Sequence, residues 1–256
     1  MSESKVALIS GSTSGIGLAI ARQFVAEGYG VALNSFEPEE THSELLAEFN
    51  GAARYFRADL GEGDAGAKLV AEVIAHFGQL DVLVNNAGVQ KVAPIEDFPP
   101  EDWDRIRAIS LDGSFHTIRA AVPDMVSRGW GRIINIVSAH GLRASPYKSA
   151  YVATKHGLIG LTKTVALEVA EKGITVNAIC PGYVWTPLVE KQLEDQARTH
   201  KMSREDVIRN IMLAPQPTRK FVQPEEIASL VLYLCGDMAC SITGASISID
   251  GGWTAK

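Results

Sequence analysis

The sequence predicts an α/β fold: a doubly wound seven-stranded parallel sheet with helices on both faces, built as a single domain. Three observations predict it. Short apolar runs alternate with longer segments of helical spacing along the 256 residues. The runs are rich in Val and Ile with no polar face, as strands covered on both sides require. No internal repeat, low-complexity tract or long linker divides the chain, and 46% apolar with 21% charged residues suits one ordinary buried core.

The elements follow in order. Val6–Ile9 reads as a buried strand, followed by a glycine-rich turn and a helix over Ile16–Glu27 that stops at Gly28. Val31–Leu33 is a second strand and Glu39–Phe49 a helix; Arg54–Arg57 is a third strand, with a helix over Ala65–Phe77. Leu80–Val84 is a fourth strand, before a long helix over Glu101–Val126. Arg132–Val137 is the fifth strand, Tyr151–Glu171 a helix, Ile174–Ile179 the sixth strand, Glu225–Leu234 a helix and Ser246–Ile249 the last strand. The stretch Pro181–Pro224 breaks this rhythm with two helix-like segments (187–199 and 203–213) and three further prolines, Pro187, Pro215 and Pro217. It follows a strand's carboxyl end, the edge at which open α/β sheets bind ligands. It is a substrate lid or a packing insertion, and its length favours the lid.

Composition excludes several classes. A formal charge of −6 argues against a general nucleic-acid binder, which needs excess Lys and Arg. No run of 18 apolar residues is present, so no membrane span is expected. Met1–Lys5 has no basic stretch leading into a long apolar core, so no secretory signal is expected. Cys180, Cys235 and Cys240 are odd in number and form no disulfide spacing, which suits a cytoplasmic location. The six histidines are scattered and no zinc-type cluster occurs, so no metal site built from side chains is expected.

Ser10-Gly11-Ser-Thr-Ser-Gly15-Ile-Gly17 joins the first strand to the first helix. Glycines there allow a tight turn and close approach to a pyrophosphate, and the helix start offers unpaired N–H groups. G-x-x-x-G-x-G is a variant of the dinucleotide fingerprint of a Rossmann-type fold. A plain Gly-rich turn is the ordinary alternative; the position after a buried N-terminal strand favours cofactor binding. The second strand ends in Asn34-Ser-Phe-Glu-Pro-Glu-Glu40, with three carboxylates and no base, which would repel a 2′-phosphate. NAD rather than NADP is expected, with Phe36 against the adenosine. The same carboxylates also suit an acidic first helical turn. Asp59-Leu60 ends the third strand, where an Asp can accept from an adenine amino group, and Asn85-Asn-Ala-Gly88 ends the fourth, where amides can tie the turn to its neighbours.

Tyr151-Val-Ala-Thr-Lys155 sets a phenol and an ammonium on one helical face. A nearby cation favours phenolate, so the tyrosine can exchange a proton with a substrate hydroxyl nearer neutral pH. The pair alone is weak, with roughly 0.26 chance matches for this composition. Ser138, just past the fifth strand, strengthens it, since its hydroxyl can hold a carbonyl oxygen beside Tyr151.

The glycine loop, Asn85-Asn-Ala-Gly88, Ser138, Tyr151-x-x-x-Lys155 and Pro181-Gly182 stand in the order of the short-chain dehydrogenase/reductase family, and the chain resembles that family over essentially its whole length. The segments around Gly131–Gly141, Lys148–Gly157, Ile179–Gly182, Thr186–Gln192 and Asp250–Thr254 resemble the bacterial members that interconvert (R)-3-hydroxybutyrate and acetoacetate. The resemblance implies that Tyr151 is the general acid/base, that Lys155 binds the nicotinamide ribose and lowers the Tyr151 pKa, and that Ser138 holds the reacting oxygen. It implies NAD contacts at Gly11, Thr13, Ser14, Gly15, Ile16, Gly17, Phe36, Asp59, Leu60, Asn86, Ala87, Gly88, Tyr151, Lys155, Pro181, Gly182 and Val184. It implies a small anionic hydroxy or oxo acid held by Gln90, His140, Lys148 and Gln192, beside Ser138 and Tyr151. Charge and hydrogen bonds must orient a ligand with so little apolar area. Lys148, His140 and Gln192 also suit ordinary loop or surface roles, and Trp253 either lines the pocket or packs between subunits.

Two positions depart from the family pattern. Ser110 stands where the family commonly has an Asn that holds a water of the proton relay, so Ser110 joins the catalytic set in a shortened form. Tyr183 stands where Trp is expected, and a smaller ring there would loosen the pocket. The resemblance also implies a homotetramer, with the helices of about 101–126 and 151–171 buried between subunits. The competing readings are the same hydride chemistry on another small hydroxy acid or secondary alcohol, and a non-catalytic NAD-binding protein. The intact Ser138, Tyr151 and Lys155 argue against the second.

Overall fold

A computed structural model of the chain describes residues 4–187, 189, 190, 193, 197 and 201–255. Seven parallel strands form one sheet in the order β3-β2-β1-β4-β5-β6-β7. They are β1 (Val6–Ile9), β2 (Gly30–Ser35), β3 (Ala53–Arg57), β4 (Val82–Asn85), β5 (Gly131–Ile136), β6 (Ile174–Pro181) and β7 (Ser246–Ile249). The helices are α1 (Gly15–Ala26), α2 (Ser43–Glu48), α3 (Ala65–Phe77), α4 (Pro100–Arg107), α5 (Gly113–Arg128), α6 (Ser149–Val169), α7 (Arg204–Val207) and α8 (Pro224–Cys235). This is the single Rossmann-type domain that the apolar runs predict.

Strand residues alternate between two cores, which is why the strands carry no polar face. Ala7, Ile9, Val31, Leu33, Val82 and Val84 pack under α1 and α8. Val6, Leu8, Ala32 and Leu83 pack on the other face, with Leu69 and Val73 of α3, Ile118 and Met125 of α5, and Val165 and Val169 of α6. β1 pairs with β2 on one side and with β4 on the other. The chain therefore winds outward in both directions from β1, and the crevice opens at the carboxyl ends where the winding reverses.

A buried chain of polar side chains crosses the sheet centre below that crevice. Thr117 on α5 donates to Asn85 Oδ1 at 2.7 Å. Asn85 donates through Nδ2 to Asn135 Oδ1 at 2.9 Å, and Asn135 donates to Thr162 of α6 at 2.8 Å. Thr162 closes the chain by donating to Leu158 O at 2.7 Å. Every member is almost fully buried. The chain fixes β4, β5, α5 and α6 relative to one another, and α6 carries Tyr151 and Lys155.

The structure differs from the predicted elements in three places. The long helix expected over Glu101–Val126 is α4 and α5 joined by a π-helical turn, Ala108–Asp112. Gly113 lets the joint press on Leu60, whose Cβ lies 3.1 Å from where a glycine side chain would begin. The helix expected over Glu39–Phe49 is a 3-10 turn, Glu39–His42, followed by the short α2. In the 181–224 excursion, the described positions of 187–197 are helical, and α7 passes into a π-helical turn, Ile208–Met212. The excursion has its own small core of Val189, Leu193, Val207 and Met212 with Tyr183, Trp185, Met202 and Phe221 against it. Its two ends meet at an isolated bridge between Val184 and Val222.

Asn135→Leu leaves the Asn85 Nδ2 donor without its acceptor and takes one donor from the Thr162 hydroxyl. A loss of about 2–3 kcal/mol is expected, lowering Tm by roughly 5–10 °C. Scanning calorimetry of the variant beside the parent chain measures it, and an unchanged Tm contradicts the role given to this amide chain.

Candidate active site

A cleft of about 470 Å³ runs along the carboxyl edge of β1, β2, β4 and β5. At its floor, α1 begins with Ser14 as N-cap, whose side chain makes no capping bond, so the first N–H groups face the cleft. Gly15 sits at φ +53°, a turn that favours glycine. Gly17 does not line the cleft. A Cβ there would collide with Gly11 O and lie 2.6 Å from Asn86 Nδ2, so a glycine lets α1 pack closely beneath the loop.

The loop is braced from neighbouring strands. Asn86 donates through Nδ2 to Ser10 O and Gly11 O, both at 2.9 Å. Ser10 Oγ accepts from the N–H groups of Asn86 at 2.9 Å and Ala87 at 3.0 Å. Asn34 is buried at the tip of β2, accepts from Gly11 N at 3.3 Å and donates to Phe56 O at 3.1 Å and Ala58 O at 3.2 Å. These amides are scaffold for the loop, as the Asn85-Asn86 pair suggests.

At the adenosine end, Phe36 is 60% exposed and lines the cleft with Glu37, Asp59 and Leu60. Glu37 lies 3.2 Å from His42. Burial pushes the Asp59 carboxyl up, but the Arg105 guanidinium at 2.7 Å and the Gly61 N–H at 2.9 Å outweigh it and hold it below its ordinary value. Arg105, which also lines the cleft, is missed by sequence reasoning because α4 is remote in the chain from β3. Arg57 is a second base at this end: its Nε donates to Phe36 O at 3.0 Å, outside the acidic segment that sequence reading weighs.

Ser138, Tyr151, Lys155, Gly88, Gln90, Pro181, Gly182 and Val184 line the other end. Thr13, Ser14, Ile16 and Ala87 line the cleft as well. Lys155 is buried and donates through Nζ to Ile136 O at 2.9 Å. Its Nζ lies 5.6 Å from the centroid of the Tyr151 ring. Burial lowers the Lys155 ammonium to about 8. Burial raises the Tyr151 phenol, the Ser138 hydroxyl lowers it and Tyr183 raises it. The net direction for Tyr151 is upward, so desolvation outweighs the Ser138 hydrogen bond. Ser110 lies behind Gly88, its Oγ 3.3 Å from where a Cβ on that glycine would stand. It is buried, and its hydroxyl has no hydrogen-bond partner among the described residues.

Beyond Tyr151 stands an aromatic wall. His140 meets Tyr151 edge-on at 5.8 Å and Trp253 edge-on at 5.0 Å. Trp253 stacks on Tyr183 at 5.7 Å and 7°. Tyr183 thus fills its corner by stacking instead of loosening it. Lys148 Nζ lies 5.6 Å from the Tyr183 ring centroid, and burial lowers its ammonium below the ordinary value. The structure gathers Ser138, Tyr151, Lys148, His140 and Trp253 together, whereas Gln192 lies outside the described residues. Both ring nitrogens of His140 face hydroxyls, Nδ1 at 3.3 Å from Ser138 Oγ and Nε2 at 3.0 Å from Ser145 Oγ. Ser145 is a neighbour that sequence reasoning missed, for a lone loop serine carries no signal. Among the described residues no group of three or more His, Cys, Asp or Glu could hold a metal, and no helix is long and apolar enough to cross a membrane.

The residues fit a dinucleotide: an open helix start, a loop that admits no side chain at Gly17, and an exposed aromatic ring at the far end. The chain belongs to the short-chain dehydrogenase/reductase family of oxidoreductases, whose fold implies a nicotinamide cofactor. A profile in this family, described as "Enoyl-(Acyl carrier protein) reductase", matches residues 11–254. The chain is 59% identical to "D-beta-hydroxybutyrate dehydrogenase" of Rhizobium meliloti (strain 1021), over 98% of this chain and 99% of the relative. It is 46% identical to a protein of the same name from Cupriavidus necator, over the full length of both. Among solved structures it resembles an actinorhodin polyketide ketoreductase variant with NADPH, at TM-score 0.92 and 36% identity, covering 100% of this chain and 99% of that one.

Burial and the nearby Lys148 and His156 charges hold the His140 ring down to about 4, against an ordinary value of 6.5. Between these values the unfolded chain binds a proton that the folded chain does not, so stability falls as pH drops through that window. The ring's share approaches about 3 kcal/mol at pH 4. Denaturation of the parent chain and His140→Asn from pH 7 to pH 4 is expected to show a shallower loss in the variant. Parallel curves would rule the ring out as the source.

Proposed function

We propose that the protein is an NAD-dependent dehydrogenase that interconverts (R)-3-hydroxybutyrate and acetoacetate. One observation carries this reading: Lys148 places a half-buried ammonium, with no ion-pair partner among the described residues, on an aromatic wall that runs to Tyr151. A desolvated cation lacking a counter-ion is costly, and a substrate carboxylate supplies one. The names of the two relatives at 59% and 46% identity support the same substrate.

The cleft from Gly15 and Ile16 to Asn86 and Gly88 would hold a nicotinamide cofactor, which would supply the hydride acceptor or donor for the substrate carbon that bears the oxygen. Tyr151 takes the hydroxyl proton in oxidation and returns it in reduction. Ser138 holds the oxygen between its two states. Lys155, fixed by Ile136 O, places a cation where phenolate charge develops and where a ribose hydroxyl would lie. Burial pushes the phenol up and the ammonium down to about 8, so the two move apart. Gln90 and Lys148 take the carboxylate, and the 181–224 lid closes over it on the Val184–Val222 bridge and excludes water. Glu37 in the cleft supports NAD over NADP, since its carboxylate opposes a 2′-phosphate more directly than Arg57, bound to Phe36 O, attracts one. Exposed Trp103, Phe115, Val126 and Leu167 on α4, α5 and α6 support a homotetramer packed through these helices. A cytoplasmic location suits the three free cysteines.

Initial rates with (R)-3-hydroxy acids of increasing length, using NAD and NADP, test the reading. The four-carbon acid with NAD is expected to give the highest kcat/KM, and Tyr151→Phe is expected to lose at least about 100-fold in kcat with NAD affinity kept. Comparable kcat/KM with NADP, or no preference for a carboxylated substrate, overturns it. In Lys148→Ala the KM for hydroxybutyrate is expected to rise roughly 10- to 100-fold while that for NAD stays within about twofold. An unchanged substrate KM returns Lys148 to the loop surface.

A further inference from the structure

Ser138 has one proton and two lone pairs. The backbone N–H of His140 donates to its Oγ at 3.1 Å, and His140 Nδ1 lies 3.3 Å from the same oxygen. If Nδ1 were bare, it would draw the serine's only proton away from the reacting oxygen. If Nδ1 carries the proton, it fills the second lone pair and leaves the Ser138 O–H free to point at the substrate beside Tyr151. A neutral ring protonated at Nδ1 has a bare Nε2, and a bare buried nitrogen needs a donor. Ser145 Oγ, 3.0 Å from Nε2, is placed to donate to it.

We propose that Ser145 is a positioning residue: its hydroxyl fixes the Nδ1–H tautomer of His140 and so makes Ser138 a hydrogen-bond donor to the substrate oxygen. This rests on the reading of Ser138 given above. The ring is held edge-on by Trp253 at 81° and by Tyr151 at 74°, so both nitrogens keep their assigned neighbours. Lys148, His156 and Tyr151 are the titratable groups that face it, and burial together with the first two keeps the ring neutral at working pH. Ser145 lies in the loop between the 3-10 turn Ala139–Gly141 and α6, and its hydroxyl meets His140 Nε2 there.

Nitrogen-15 NMR of the full-length protein labelled in histidine reads the tautomer, with the His140 signals identified by their loss in His140→Asn. The parent chain is expected to carry its proton on Nδ1. In Ser145→Ala the Nε2–H form is expected to appear, with kcat on (R)-3-hydroxybutyrate falling about tenfold and the KM for NAD unchanged. Ser145→Thr, which keeps the hydroxyl, is expected to restore both readouts. A parent ring protonated at Nε2, or a tautomer and kcat unmoved in Ser145→Ala, overturns the proposal. Absence of hydroxybutyrate turnover in the parent chain overturns the substrate reading instead, while the ring spectra still decide this one.

Discussion

The buried ammonium of Lys155 is the constraint on which the rest of the site depends. A cation taken out of water costs several kcal/mol unless polar groups replace the lost hydration. Here one carbonyl, Ile136 O at the end of β5, supplies a bond at 2.9 Å. That bond holds only while α6 lies at one height and rotation against the sheet. The buried chain from Thr117 through Asn85 and Asn135 to Thr162 sets that height from the other side of β5. Tyr151 stands one helical turn before Lys155, so the same constraint sets the phenol. The position of the Tyr151 phenol is thus inherited from a strand end and two buried amides.

The two ends of the cleft differ in charge: Glu37 and Asp59 at one end stand beside Arg57 and Arg105, whereas Lys155 and Lys148 at the other have no ion-pair partner among the described residues. A net charge of −6 would otherwise oppose an anionic substrate. Local cations behind low-dielectric aromatic walls offset it over the few ångströms that matter. Between the ends, Asn34, Asn86 and Ser10 hold the glycine loop open by bonding its backbone, so no side chain need enter the space of the pyrophosphate.

Much of this was legible in the sequence, and the reasons differ by element. The seven strands were readable because both faces of each are buried, which leaves a continuous apolar run such as Val6–Ile9. The loop of Gly11 and Gly15 was readable because few other residues adopt its turns. The break at Ala108–Asp112 was hidden because a π turn keeps helical spacing within one residue. Spacing cannot distinguish a glycine that faces a ligand from one that, like Gly17, also admits a neighbouring backbone. Arg105 and Arg57 were hidden because their partners lie on elements distant in sequence, and Ser145 because a lone loop serine carries no signal. The i, i+4 spacing shows the cation near Tyr151 but not the depth of burial around the phenol.

Tyr183 shows how a substitution in a pocket can be absorbed. A smaller ring leaves a void only if its neighbours keep their places. Here Trp253 lies flat on the phenol ring at 7°, and Lys148 Nζ lies over the same ring. The wall therefore stays continuous from Lys148 through Tyr183 and Trp253 to His140 and Tyr151. A flexible side chain at Tyr183 would let Lys148 fall back toward solvent, where water would satisfy it. The contacts that keep the Tyr183 ring in place thus also keep a cation partly desolvated at the end of the wall.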